Sequence, residues 1–166
     1  NNAKVLYRLS VKREDVERAE KLFFLTPELQ KTLENPMVPN TKKYEIIDRV
    51  FALEDLPDVI IKFVKTMCRI GYCDEMQNIF KAFYQYWDKE NHIIRAEFIS
   101  AGEPVDEEVE EAERLLQSKY PEEKIELTKK VDESLLGGYI VRVSHEEYDR
   151  SYEGRLRQLE RKLTGR

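Results

Sequence analysis

Near residue 90 the spacing of the apolar residues changes its period, and this change restricts the possible fold more than any other feature of the chain. Upstream, apolar residues recur at helical intervals: Val16, Ala19, Leu22 and Phe23, then Tyr44, Ile47 and Phe51. Stronger stripes follow at Ile60, Phe63, Val64 and Met67, and at Met76, Ile79, Phe80, Phe83 and Trp87. The stripes are interrupted at Thr26-Pro27, Asn35-Pro36, Pro39-Asn40, Leu56-Pro57 and Gly71. A proline can open a helix but cannot continue one from the residue before it. Thr26 and Asp74 are suited to be N-caps. Short helices with short joins pack as a bundle.

After Lys89-Glu90-Asn91 the pattern alternates, with Ile94, Ala96 and Phe98 against Arg95, Glu97 and Ile99, which predicts a strand. Gly102-Glu103-Pro104 turns the chain, and residues 106–120 read as a helix with Val109, Ala112, Leu115 and Leu116 on one side. Ile125, Leu127 and Val131 predict a second strand, and Tyr139, Val141 and Val143 a third. Tyr152, Leu156, Leu159 and Leu163 then form a closing amphipathic helix that ends near Gly165. The expected class is α+β: an all-α helical bundle over 1–90, followed by a small α+β domain over 91–166.

Charge separates the two regions. Residues 1–90 hold 15 basic and 15 acidic residues, whereas 91–166 hold 13 and 18, which accounts for the whole net charge of −5. Neither region has the basic surface that nucleic acid needs. No apolar run reaches the roughly 18 residues of a membrane span. The start, Asn1-Asn2-Ala3-Lys4, lacks the basic and apolar regions of a signal peptide. Because it lacks Met, a few native residues are expected to be missing. Cys68 and Cys73 have neither the spacing of a redox CxxC nor that of a zinc half-site, so two ordinary thiols are expected.

Residues suited to catalysis are not grouped. His92 and His145 fall at opposite ends of predicted strands, with no metalloprotease helix or nucleophile elbow beside them. Gly137-Gly138 suits a tight turn better than a phosphate cradle. The acidic run Asp106-Glu107-Glu108 fits the positive end of a helix dipole. Tyr84, Tyr86 and Trp87 lie near Lys81 and Lys89, but the helical spacing of Phe80, Phe83 and Trp87 favours core packing over a stacking platform. The expectation is a chain with no catalytic centre of its own, no cofactor and no metal. A nucleic-acid module is the alternative and a small hydrolase the third reading.

Residues 125–144, with Val131, Asp132, Leu135, Gly137, Gly138 and Val141 at fixed spacing, resemble the signature of the ATP synthase delta subunit family, called the oligomycin-sensitivity-conferring protein in mitochondria. Asp149, Ser151, Gly154, Leu156, Leu159 and Leu163 continue the likeness, as does Ser100-Ala101-Gly102-Glu103-Pro104. Ala3-Lys4-Val5-Leu6-Tyr7, Asn35-Pro36 and Phe63-Val64-Lys65-Thr66-Met67 are similar but less specific. The resemblance implies a stator subunit that joins the catalytic head to the peripheral stalk, resists rotation and supports coupling of proton transport to ATP synthesis. It implies that the bundle receives the N-terminal helix of an alpha subunit between its first and fifth helices, here about residues 3–9 and 57–70. It also implies that the C-terminal domain contacts the b-subunit stalk. No evident transit peptide gives the expectation of a bacterial form, peripheral at the cytoplasmic face of the cell membrane and monomeric in isolation.

A groove for a helix needs exposed apolar positions on facing helices. Val5, Leu6 and Leu9 on one, with Ile61, Val64 and Cys68 on the other, are the candidates, although such a stripe is more often core. Apolar residues go most of the way round helix 57–70, as expected if it serves both core and partner. On the last helix, the sheet is the expected cover for Tyr152 and Leu156, with Leu159 and Leu163 open to either sheet or stalk.

Overall fold

A computed structural model describes residues 1–165 as two compact units, Asn1–Asp88 and Lys89 onward. The first is all helix: α1 (Asn2–Arg8), α2 (Arg13–Phe23), α3 (Pro27–Glu34), α4 (Asn40–Phe51), α5 (Asp58–Arg69), a 3-10 turn (Cys73–Glu75) and α6 (Met76–Glu90). The starts of these helices follow local chemistry. The Asn1 side chain accepts from the Ala3 N–H, and Thr26 Oγ1 accepts from the Leu29 N–H ahead of Pro27. Asp74 lies inside the 3-10 turn and does not serve as the expected cap of α6.

The helical stripes meet in one core. Val16, Ala19, Phe23, Ile47, Phe51, Ile60, Val64, Met76, Phe80 and Phe83 are almost fully buried, with Trp87 packed against them. Each large side chain so buried stabilises by about 1.5–3 kcal/mol. Tyr7 of α1 meets the Tyr86 and Trp87 rings edge-on at centroid distances of 5.0 and 5.7 Å, which holds α1 on α6. Arg13 of α2 pairs with Asp88 at 3.0 Å and lies over the Tyr84 ring, whose hydroxyl donates to Glu20.

The expectation of two ordinary thiols is overturned here: Cys68 and Cys73 form a disulfide, with Cα atoms 4.8 Å apart. The cause is the way α5 stops. Gly71 at φ +83° reverses the chain, the Gly71 N–H reaches the Cys68 carbonyl, and the Tyr72 N–H reaches the Met67 carbonyl. This Schellman turn carries Cys73 back beside Cys68, inside the range that a disulfide spans.

The second unit contains β1 (Ile93–Ser100), α7 (Asp106–Lys119), β2 (Lys124–Val131), β3 (Tyr139–Val143), β4 (Glu146–Asp149) and α8 (Tyr152–Thr164). The sheet order is β2-β1-β3-β4. β1 and β2 are parallel, with Ile94 opposite Ile125 and Ala96 opposite Leu127, and a parallel pair requires a crossover, which α7 provides. β3 lies antiparallel to β1, placing Val141 opposite Phe98 and Val143 opposite Ala96. These residues pack with Val109, Ala112 and Leu116 of α7, and the Phe98 and Tyr139 rings stack at 5.0 Å.

β4 was not expected. Glu146-Glu147-Tyr148-Asp149 has no apolar alternation, yet it pairs with β3 through a hairpin whose Ser144 has φ +54°. Its charges suit an edge strand, where apolar residues would invite pairing with another chain. Among the described residues, no helix is long and apolar enough to cross a membrane.

Candidate functional site

Gly137, Gly138, Asp149 and Ser151 of the 131–156 pattern meet, with Gly154, at the point where α8 leaves the sheet. Gly138, at φ +75°, lies so close to the Arg150 carbonyl oxygen that a Cβ would collide with it. Next to it, Gly137 presents a bare backbone to the Tyr152 ring, and its carbonyl accepts from the Tyr152 N–H at 3.1 Å. The glycine pair is therefore the seat of the α8 start.

Asp149 and Ser151 form the cap. The Asp149 carboxylate accepts from the Ser151 N–H at 2.9 Å and from its hydroxyl, and Ser151 Oγ in turn accepts from the Gly154 N–H at 3.1 Å. Arg157, one turn further on, pairs with the other Asp149 oxygen at 2.8 Å. Burial alone would raise the Asp149 pKa, but the Ser151 and Arg157 interactions outweigh it and hold the carboxyl below its ordinary value. Gly154 has a role here: a side chain at this position would run into the Asp149 carboxylate.

The other pattern residues are spread around this start. Val141 is buried in the sheet core, Leu135 is half-buried, and Val131 is exposed at the end of β2. Asp132 lies in the turn after β2, where the Ser134 hydroxyl and N–H hold its carboxyl below the usual range. Leu156 lies on α8 and is exposed.

From this start α8 runs into solvent. Gly154 is its one buried residue, and every residue from Arg155 to Gly165 is exposed. Tyr152, Leu156, Leu159 and Leu163 are 55, 59, 55 and 87% exposed, and Leu136, next to Gly137, is 76% exposed. The expectation that Tyr152 and Leu156 fold against the sheet is thus overturned. These contacts fix only the first turn: Gly137 meets Tyr152 at the start of the seam, and Asp149 meets Gly154 on the side opposite the leucines.

In the bundle, the expected groove residues divide. Val5 and Leu9 are exposed on α1, and Ile61 is half-buried on α5. Leu6, Val64 and Cys68 are not open positions: they are 1, 0 and 3% exposed within the bundle core. Helical period makes Leu6 and Val64 inward residues, and Cys68 is turned inward to its disulfide. Tyr72, just after α5, lines a depression of about 330 Å³ with Asn2 and Ala3 of α1 and Ile79 of α6. Tyr72 is exposed and carries no periodic signal, since it follows the end of α5.

Groups able to do chemistry stay apart. His92 and His145 are exposed in separate turns, and the described residues contain no cluster of three His, Cys, Asp or Glu side chains fit for a metal. Tyr139 is buried, and its hydroxyl meets no hydrogen-bond partner of good geometry among the described residues; burial first, then the nearby Glu111 carboxylate, pushes it up to about 12.

The family model described as ATP synthase delta (OSCP) subunit matches residues 3–163. Among similar proteins is the ATP synthase subunit delta of Clostridioides difficile (strain 630), 27% identical over 84% of this chain and 76% of that one. That of Lactiplantibacillus plantarum is 24% identical over 97% of this chain and 92% of its own. A chain in the cryo-EM structure of the Toxoplasma gondii mitochondrial ATP synthase hexamer superimposes with a TM-score of 0.66, at 13% identity, over 98% of this chain and 95% of that one. At that identity the last match speaks for the fold alone. With the family model matching nearly end to end, the chain belongs to the ATP synthase delta (OSCP) subunit family, a family of non-catalytic structural subunits.

Proposed function

We propose that this chain links the catalytic head of an F-type ATP synthase to the b-subunit peripheral stalk, one unit for each. The bundle receives the N-terminal helix of an alpha subunit, and the C-terminal unit faces the stalk. ATP synthesis and proton transport are then properties of the complex, and this chain supplies mechanical resistance to rotation. It sits at the cytoplasmic face of the cell membrane through its partners and is monomeric alone.

The observation that carries this reading is that two units with separate cores each leave apolar side chains uncovered, Val5, Leu9 and Tyr72 in one and the α8 leucines in the other. Uncovered apolar surface of that kind marks a protein interface. On the bundle, Val5 and Leu9 with Ile61 and Tyr72 are the proposed contact residues, while Leu6, Val64 and Cys68 support them from the core.

Trp87 packs on Tyr7 of α1 and so reports on that helix. Titration with a synthetic peptide of the alpha-subunit N-terminus is expected to change Trp87 fluorescence saturably at one-to-one stoichiometry. Val5→Asp with Tyr72→Asp is expected to weaken binding at least about tenfold. Unchanged affinity in that double variant would remove the bundle face from the reading.

A further inference from the structure

We propose that α8 is a docking blade for a single amphipathic partner helix that carries an acidic row beside its apolar seam. The proposal rests on the stalk-facing reading of this unit and adds the chemistry of the partner.

Geometry gives the first half of the argument. Tyr152, Leu156, Leu159 and Leu163 recur at the 4-3-4 spacing of a helix-pairing seam, and all four are exposed. The seam is continuous with exposed Leu136, because Tyr152 lies over Gly137 next to it. The opposite side of α8 is the side held by the domain, through Gly154 against Asp149. That leaves the seam side of the helix exposed from Leu156 onward.

Charge gives the second half. α8 carries four basic residues, Arg155, Arg157, Arg161 and Lys162, against Glu153 and Glu160. Residues 91–151 carry eight basic and sixteen acidic residues. The chain thus places an excess of positive charge on the one helix that projects. Arg157 is engaged with Asp149, whereas Arg155 and Lys162, seven apart, flank the seam on one side and hold no ion pair among the described residues. Flanking residues at these positions choose the partner in paired helices, and a row of carboxylates is their complement. An anionic bilayer is disfavoured by Glu153 and Glu160 on the other flank and by the acidic unit behind the helix. A second copy is disfavoured by bringing two such acidic units together.

The test uses the full chain and three synthetic helical peptides with one common leucine seam and one flank of Glu, Gln or Lys, followed by calorimetry. The Glu peptide is expected to bind about fivefold to tenfold tighter than the Gln peptide, and the Lys peptide weakest. Arg155→Glu with Lys162→Glu is expected to reverse that order, and Leu159→Asp to abolish binding. Since these side chains are exposed, the variants keep the fold, which circular dichroism checks. Equal affinity for all three peptides overturns the proposal, as does seam-dependent self-association in sedimentation or binding to phosphatidylserine vesicles in preference to the Glu peptide. The soluble b-subunit segment is titrated in parallel. If it binds all variants equally, the stalk reading survives and α8 is not the blade. If it binds none, including the unaltered chain, the stalk reading itself fails.

Discussion

α5 and α8 are of nearly equal length, 12 and 13 residues, and each carries an apolar seam, yet they end in opposite surroundings. α5 buries Ile60, Phe63, Val64, Met67 and Cys68, whereas α8 buries only Gly154. Periodicity dictates which side chains share a helix face. It does not dictate what covers that face. α5 is enclosed because α4 and the turn after Gly71 return onto it, and its disulfide ties down the end. No described element covers the seam of α8, whose residues from Arg155 to Gly165 are all exposed.

The contrast breaks most readily at Phe63. Phe63→Ala is expected to destabilise the bundle by about 3–5 kcal/mol through lost burial and a residual cavity. Urea unfolding followed by Trp87, which lies in the same unit, measures it. A loss below about 1 kcal/mol would mean that α5 is not a core helix. Next in size, reduction of the Cys68–Cys73 bond is expected to lower bundle stability by about 2 kcal/mol, since the bond closes only a short loop. Matched urea curves with and without dithiothreitol read this, and coincident curves would refute it.

Acid tests the hinge of α8. Folding holds the Asp149 carboxyl below its ordinary pKa, so the ionised form stabilises the folded unit. That contribution is complete above the ordinary value of about 3.9 and is lost as pH falls through the folded-state value. Asp149→Asn is therefore expected to destabilise the second unit near neutral pH and to flatten its loss of stability below about pH 4. Amide exchange of β3 across that range is the readout, and equal acid sensitivity in the variant would exclude Asp149 as the source. The smallest expected effect completes the comparison: Leu159→Ala should change stability by less than about 0.5 kcal/mol, because the side chain is more than half exposed and belongs to neither buried core. A loss above about 1 kcal/mol would show that α8 is covered after all.

Much of the fold was legible from period alone. Val16, Ala19, Phe23, Phe80 and Phe83 are buried where helical spacing puts them, and Ala96, Phe98, Val141 and Val143 where alternation does. β4 escaped because an edge strand of charged residues carries no apolar pattern. The disulfide escaped because its two residues meet only after Gly71 reverses the chain, which spacing does not encode. Of the candidate partner residues, Val5 and Leu9 were readable as exposed only once Leu6 had taken the inward position. The 131–156 pattern was recognisable as a pattern. Its physical basis, a ring over one glycine, a carbonyl against the next and a carboxylate against Gly154, lies in close approaches that spacing does not encode.

Because α8 is anchored by its first turn only, the rest of the helix depends on its own backbone hydrogen bonds. An isolated helix of about a dozen residues is marginal in water. Its distal amides are therefore expected to exchange with solvent faster than those of the sheet. Association must then complete the folding of two to three turns as it occurs. The reaction acquires the thermodynamic signature of a local coil-to-helix transition: a favourable enthalpy opposed by ordering entropy, with an affinity that falls steeply on warming.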